Sequence, residues 1–116
     1  LIELAEYLDE RGRSVFAEWR QTLDATTRAR IQKGLLQLLQ GNSGALKGVG
    51  GGVLEMRFDF GPGFRVYLAK DGETLILLLG GGTKRRQQDD IEAAKARWQN
   101  YKERKRRHAA TDATAL

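Results

Sequence analysis

Apolar positions set the outline of the fold. Phe16, Trp19 and Leu23 recur at helical spacing behind Ser14, a residue suited to cap a helix, and that helix should end near Asp24. A second stripe, Ile31, Leu35, Leu38 and Leu39, follows Thr26 and Thr27, either of which can cap it, and Gly41-Asn42-Ser43-Gly44 should close it. Two tandem helices read as a hairpin. Beyond a glycine-rich loop, Gly48 to Gly52, the period falls to two. Leu54, Met56, Phe58 and Phe60 alternate with Glu55, Arg57 and Asp59, and after a Gly61-Pro62-Gly63 turn Phe64, Val66 and Leu68 alternate with Arg65, Tyr67 and Ala69. That pattern is a β-hairpin. Asp71-Gly72 marks a further turn, and the run from Thr74 to Leu79 is apolar enough for a strand buried on both faces inside the sheet. Gly80-Gly81-Gly82 should break it. Ile91, Ala94, Trp98 and Tyr101 then trace a last helix, with Asp89 and Asp90 favourably placed at its positive end. Residues Glu3 to Leu8 fit a strand or a fraying helix. The expected class is α/β in the α+β sense, with a small, mostly antiparallel sheet of about four strands. Residues 1–107 form a single domain, and residues 108–116, which show no stripe, a poorly ordered tail.

Alternation also sorts the polar side chains. Glu55, Arg57 and Asp59 share one face with Arg65 and Tyr67 of the neighbouring strand. With a turn centred near Pro62, Arg57 should lie beside Tyr67 and Asp59 beside Arg65, on a face open to water. Thr83, Lys84, Arg85 and Arg86 join them from the end of the next strand. Guanidinium forks bind phosphate bidentately, lysine adds a point charge, and Tyr67 offers a ring and a hydroxyl, a set suited to RNA.

Composition narrows the chemistry. The 116 residues include no cysteine and one histidine, which removes disulfides, thiolate zinc sites and thiol nucleophiles. The longest apolar run is far too short for a membrane span and no charged-then-apolar leader opens the sequence as given, so a cytoplasmic domain without membrane association is expected. The net charge of +5 is unevenly placed: residues 84–107 carry ten basic and four acidic side chains, residues 1–24 three basic and six acidic. A basic segment of this kind is either a solvated helix face or the footprint of a polyanion.

Two features are decoys. Gly80-Gly81-Gly82-Thr83-Lys84 lacks the spacing of a phosphate loop, since Arg85 stands where a hydroxyl is needed. Asp89, Asp90 and Glu92 read as helix-end charges rather than as metal ligands, and His108 as a solvent-exposed side chain.

The order Tyr7-Leu8-Asp9-Glu10, Phe16-Ala17-Glu18-Trp19, Gly61-Pro62-Gly63-Phe64-Arg65-Val66-Tyr67 and Gly81-Gly82-Thr83-Lys84, with Gln87, Asp90, Ile91 and Ala94 following, resembles toxins of the bacterial type II RelE/ParE superfamily in the HigB-like branch. The likeness runs from about residue 5 to residue 101. It implies a fold with two N-terminal helices on one face of the sheet, a C-terminal helix beside it and Glu3 to Leu8 as the first strand.

The resemblance further implies a ribosome-dependent mRNA endonuclease that needs no metal or other cofactor: the RNA 2′-oxygen attacks the adjacent phosphate while cations hold it. Arg57, Arg65 and Lys84 take the phosphate-stabilising positions and Tyr67 a stacking or orienting one; no histidine lies near this face, and of its two carboxylates, Glu55 and Asp59, Glu55 is assigned as the general base. Lys47, Thr83, Arg85, Arg86 and Gln87 are the further RNA contacts. The implied partners are mRNA, the ribosome and a small antitoxin with a helix-turn-helix domain, through which alone DNA would be met. The ParE-like alternative poisons DNA gyrase without cutting RNA, and a third reading is an inactive RNA-binding or antitoxin-titrating module. Relatives commonly have Gly-Gly-Asp-Lys-Ser-Ser-Gln where this chain has Gly81-Gly82-Thr83-Lys84-Arg85-Arg86-Gln87, so its loop is more cationic.

Overall fold

A computed structural model of the chain describes residues 2–42 and 46–114. It is a mixed α+β fold. The elements follow in the order β1 (Glu3–Glu6), α1 (Val15–Gln21), α2 (Ala25–Leu39), β2 (Leu46–Gly50), β3 (Val53–Phe58), β4 (Phe64–Asp71), β5 (Leu75–Thr83), a 3₁₀ turn (Lys84–Arg86) and α3 (Gln87–Thr114). The strands form one five-stranded sheet in the order β1-β5-β4-β3-β2, antiparallel except where β1 runs parallel to β5.

The helix starts obey local hydrogen-bond chemistry. Ser14 caps α1 by accepting from the Ala17 N–H at 3.0 Å, as its position suggested. For α2 the cap is Asp24, whose carboxylate accepts from the Thr27 N–H at 2.8 Å, rather than Thr26 or Thr27. A carboxylate facing the positive helix end is held below its ordinary pKa chiefly by that backbone bond. Gly41, at φ 95°, ends α2; Ser43 and Gly44 of the expected closing turn lie outside the described residues.

Three differences from the sequence pattern shape the site. The stretch expected to be a glycine loop contains β2, an edge strand whose Lys47, Gly48 and Gly50 hide it from any alternation rule. The glycine triplet does not break β5, which runs through Gly80, Gly81 and Gly82 to Thr83. And both faces of the sheet are covered. α1 and α2 bury Phe16, Ile31, Leu35 and Leu38 against Met56, Val66, Leu68 and Leu78. On the other face α3 lays Ile91, Ala94 and Trp98 over Val53, Tyr67, Ala69, Leu77 and Leu79. The row expected to face water therefore lies beneath a helix for much of its length.

The triplet makes this close layering possible. A Cβ on Gly81 would stand 2.3 Å from the Trp19 ring of α1, and one on Gly82 would stand 2.0 Å from Asp90 Oδ2 of α3. Only a strand without side chains admits both helices. Farther along, α3 is fastened by the Tyr101 hydroxyl, which donates to Asp71 at 2.6 Å, and by Lys105, which bridges the same carboxylate at 2.8 Å. Beyond it, where a poorly ordered tail was expected from His108, α3 continues to Thr114. Ala109, Ala110 and Ala113 favour helix without needing a buried stripe. Among the described residues no helix is long and apolar enough to cross a membrane.

Candidate functional site

The site lies where the 3₁₀ turn carries β5 into α3. The β3–β4 register pairs Glu55 with Tyr67 and Arg57 with Arg65, two residues away from the expected pairing of Arg57 with Tyr67 and Asp59 with Arg65. The register centres the hairpin on Gly61, one residue before Pro62, and the Gly63 N–H closes the turn onto the Phe60 carbonyl at 3.0 Å. A shift of two keeps every side chain on its predicted face, so the constellation survives. Lys47 of β2 lies opposite Glu55 and Gly82 of β5 opposite Arg65 on that same face.

Glu55 is the hub. It is completely buried, and its oxygens accept from Arg57 Nε at 3.0 Å, Gln87 Nε2 at 2.8 Å and the Tyr67 hydroxyl at 3.2 Å. Burial pushes its pKa up, but the hydrogen bonds from Arg57, Gln87 and Tyr67 outweigh that and leave it below the ordinary carboxylate value. An ionised carboxylate engaged by three donors is a poor proton acceptor and a good scaffold. It fixes the Arg57 side chain while leaving that guanidinium partly open to solvent.

Tyr67 is buried in the layer under α3, so its ring presents no stacking surface. Burial, reinforced by the neighbouring Glu55 charge, pushes its pKa well above the usual tyrosine value and keeps the hydroxyl a donor. Gln87, taken from the sequence as an RNA contact, turns inward to Glu55.

Arg65 is 5% exposed, and its Nε lies buried without a hydrogen-bond partner. Its Nη1 donates to the Gly63 carbonyl at 2.7 Å, and the same oxygen accepts from the Lys84 N–H at 2.9 Å. Gly63 sits at φ 75°, and a Cβ there would press on Arg65 Nη1 at 2.8 Å. Among the described residues no carboxylate forms an ion pair with Arg65, so a guanidinium is buried without a counter-charge. That is a costly arrangement, and an anion would relieve it. Lys47, Lys84, Arg85 and Arg86 are exposed, and Thr83 pairs with Phe64 at the strand end.

Asp90 is the residue that sequence reasoning assigned only to the helix end. It lies over Gly82 on the face that carries Arg65 and Tyr67. Burial raises its pKa against the pull of Arg86 and Arg97. The readable signal was the glycine opposite: a strand position with no side chain marks the close approach of another group. His108 lines a cleft at the far end of α3 with Arg104 and Tyr101.

No protein-family profile matches the chain, and no solved structure matches it. A protein of Haemophilus influenzae strain Rd, described as uncharacterized, is 40% identical to it over 81 residues, spanning 69% of this chain and 82% of that protein.

Proposed function

The chain belongs to one family with that Haemophilus influenzae protein, and we propose that this member is the toxin of a type II toxin–antitoxin pair, a ribosome-dependent mRNA endonuclease. The observation that carries the reading is the pairing of Arg57 with Arg65 at the open end of the sheet. One guanidinium is held by a buried carboxylate and partly exposed, and the other is buried with no ion-pair partner among the described residues. Lys84 completes the cluster through its backbone link to Gly63.

In this mechanism the RNA 2′-hydroxyl gives its proton to solvent water as its oxygen attacks the adjacent phosphorus in line, and the 5′-oxygen leaves and takes a proton from water. The two arginines and Lys84 take up the charge that grows on the phosphoryl oxygens. Glu55 positions Arg57 and Tyr67 rather than accepting the 2′ proton, since its lone pairs already serve three donors. Lys47, Arg85 and Arg86 hold flanking phosphates. The site is cytoplasmic, where translated mRNA is met, and the partner that restrains it is an antitoxin with a helix-turn-helix domain.

Mapping of transcript ends after induction tests this. Cleavage within translated mRNA, lost with Arg65→Ala or Lys84→Ala, is the expected result. Intact transcripts with arrested replication would instead point to a gyrase poison. Growth arrest that survives both substitutions would remove the cationic cluster from the mechanism altogether.

A further inference from the structure

The arginine with the unpaired nitrogen is covered. Arg65 is 5% exposed, so in this conformation its guanidinium is closed off from any phosphate in solution. The turn between β3 and β4 is part of the cover. A Cβ on Gly63 would stand 2.8 Å from Arg65 Nη1 and 3.5 Å from the Lys84 Cβ, which places Gly63 against both cationic residues. Its carbonyl accepts from Arg65 Nη1 at 2.7 Å and from the Lys84 N–H at 2.9 Å. One neutral oxygen thus holds two donors that suit an oxyanion. It is an incomplete substitute, because a carbonyl supplies no counter-charge and Arg65 Nε stays buried without a partner.

The turn is built to move as a unit. The β3–β4 pairing ends at Phe58 and Phe64 and the β4–β5 pairing at Phe64 and Thr83, so Gly63 lies one residue beyond both ladders. Pro62 stands between Gly61 at φ 55° and Gly63 at φ 75°, a stiff residue between two whose backbones rotate at little cost. A ring fastens the tip. Phe60 packs 5.3 Å from the buried Phe64 ring, centroid to centroid, and lies under the Arg30 guanidinium of α2 at 4.5 Å. Arg30 is itself exposed and belongs to a helix that contributes nothing to the cationic cluster.

We propose that the β3–β4 turn is an autoinhibitory plug: the Gly63 carbonyl fills the place of a phosphoryl oxygen, and a phosphate reaches Arg65 only when the turn lifts and the Phe60 ring leaves Arg30 and Phe64. The plug regulates the site already described and rests on the reading of Arg65 as a phosphate ligand. Its consequence is a linkage between two measurable quantities. While the closed form dominates, apparent phosphate affinity is the intrinsic affinity multiplied by the open fraction, and the Lys84 N–H exchanges with solvent in proportion to that same fraction. A change that weakens the latch must raise both by one factor.

NMR of the whole chain reads both quantities, with inorganic phosphate as the probe: exchange of the Lys84 amide in the free protein, and the shift of the Arg65 Nε–H resonance as phosphate is added. Phe60→Ala should speed the exchange and tighten phosphate binding by the same factor, about tenfold. Arg30→Ala, a change on an exposed helix face, should raise both by about threefold. Phe60→Tyr keeps the ring and should stay near wild type. Faster exchange without tighter binding, or tighter binding without faster exchange, overturns the plug, and so does unchanged exchange in both latch variants. Those outcomes leave the phosphate reading standing, since Arg65 still responds to the ion. No response of Arg65 Nε–H to phosphate in any of the proteins ends both. If Phe60→Ala fails to fold, Arg30→Ala carries the test.

Discussion

Gln87, the first residue of α3, donates its side-chain amide to Glu55 in β3 at 2.8 Å and so joins the C-terminal helix to the carboxylate that holds Arg57. The bond couples helix position to site geometry. Gln87→Ala should leave the fold intact and reduce the proposed RNA cleavage roughly tenfold, the size of effect that about 1.4 kcal/mol of lost positioning produces. Glu55→Gln removes the ionised acceptor of three donors and should cost about 2 kcal/mol of stability. Urea unfolding of both variants beside a cleavage assay checks the pair; a Gln87→Ala protein that cuts at the wild-type rate would sever the link between α3 and the site.

Acid should act on the same carboxylate with a definite sign. Glu55 has a folded pKa below its unfolded value, so its contribution to stability is complete above about pH 4.5 and drains away as pH falls through the folded pKa. The wild-type protein should therefore lose stability below that point more steeply than Glu55→Gln does. Parallel curves of unfolding free energy against pH for the two proteins would contradict the assignment.

Asp90 should behave in the opposite way. Its folded pKa is raised, mainly by burial, so the folded state favours the protonated form and that advantage disappears as pH rises through the folded value. Asp90→Asn should raise the thermal midpoint at neutral pH, and the gain should shrink toward zero in acid. A loss of stability at neutral pH would mean that attraction to Arg86 and Arg97 outweighs the cost of burial.

Arg65 should show stability and activity moving apart. Arg65→Met keeps much of the side chain's length while removing a buried charge whose Nε is unpaired and which has no ion-pair partner among the described residues. The variant should be more stable by about 1 kcal/mol, which corresponds to a rise of roughly 4 °C in Tm, and it should no longer arrest growth. Calorimetry and a plate assay decide this together. A less stable variant would show that the bond to the Gly63 carbonyl outweighs the buried charge.

Gly81→Ala should destabilise the chain by about 2 kcal/mol, because the added methyl meets the Trp19 ring, which is packed into the core. Gly82→Ala should cost less, since Asp90 is a short polar side chain at the start of a helix and can turn aside. In a double-mutant cycle, Trp19→Leu should recover part of the Gly81→Ala loss. Strictly additive costs would mean that the ring does not limit the space.

Much of this arrangement is legible in the chain. Period-two alternation identifies β3 and β4, and because a strand side chain keeps its face under a shift of two, Glu55, Arg57, Arg65 and Tyr67 remain together despite the shifted register. What alternation cannot say is which face meets water. The stripe Ile91, Ala94 and Trp98 on α3 carries that information: a helix with an apolar side needs a surface to cover, and the free sheet face is the one that bears Glu55 and Tyr67. Gln87 and Asp90 then face inward, at the beginning of a helix that lies on the site. β2 stays hidden because an edge strand buries too little to require an apolar pattern, and the glycines of β5 look like a breaker when read without the two helices that need them.

At Gly81 and Gly82 the wall between the N-terminal helices and α3 is bare peptide, with no side chain to absorb displacement. Elsewhere in the sheet, rotamer changes can cushion the movement of one layer before it reaches the other. Here a shift of Trp19 presses on a strand whose other side bears on Asp90, a few residues from Gln87 and the hub at Glu55. A load applied to α1 through Trp19 would thus reach Asp90 through backbone alone, with no side chain of the strand between them.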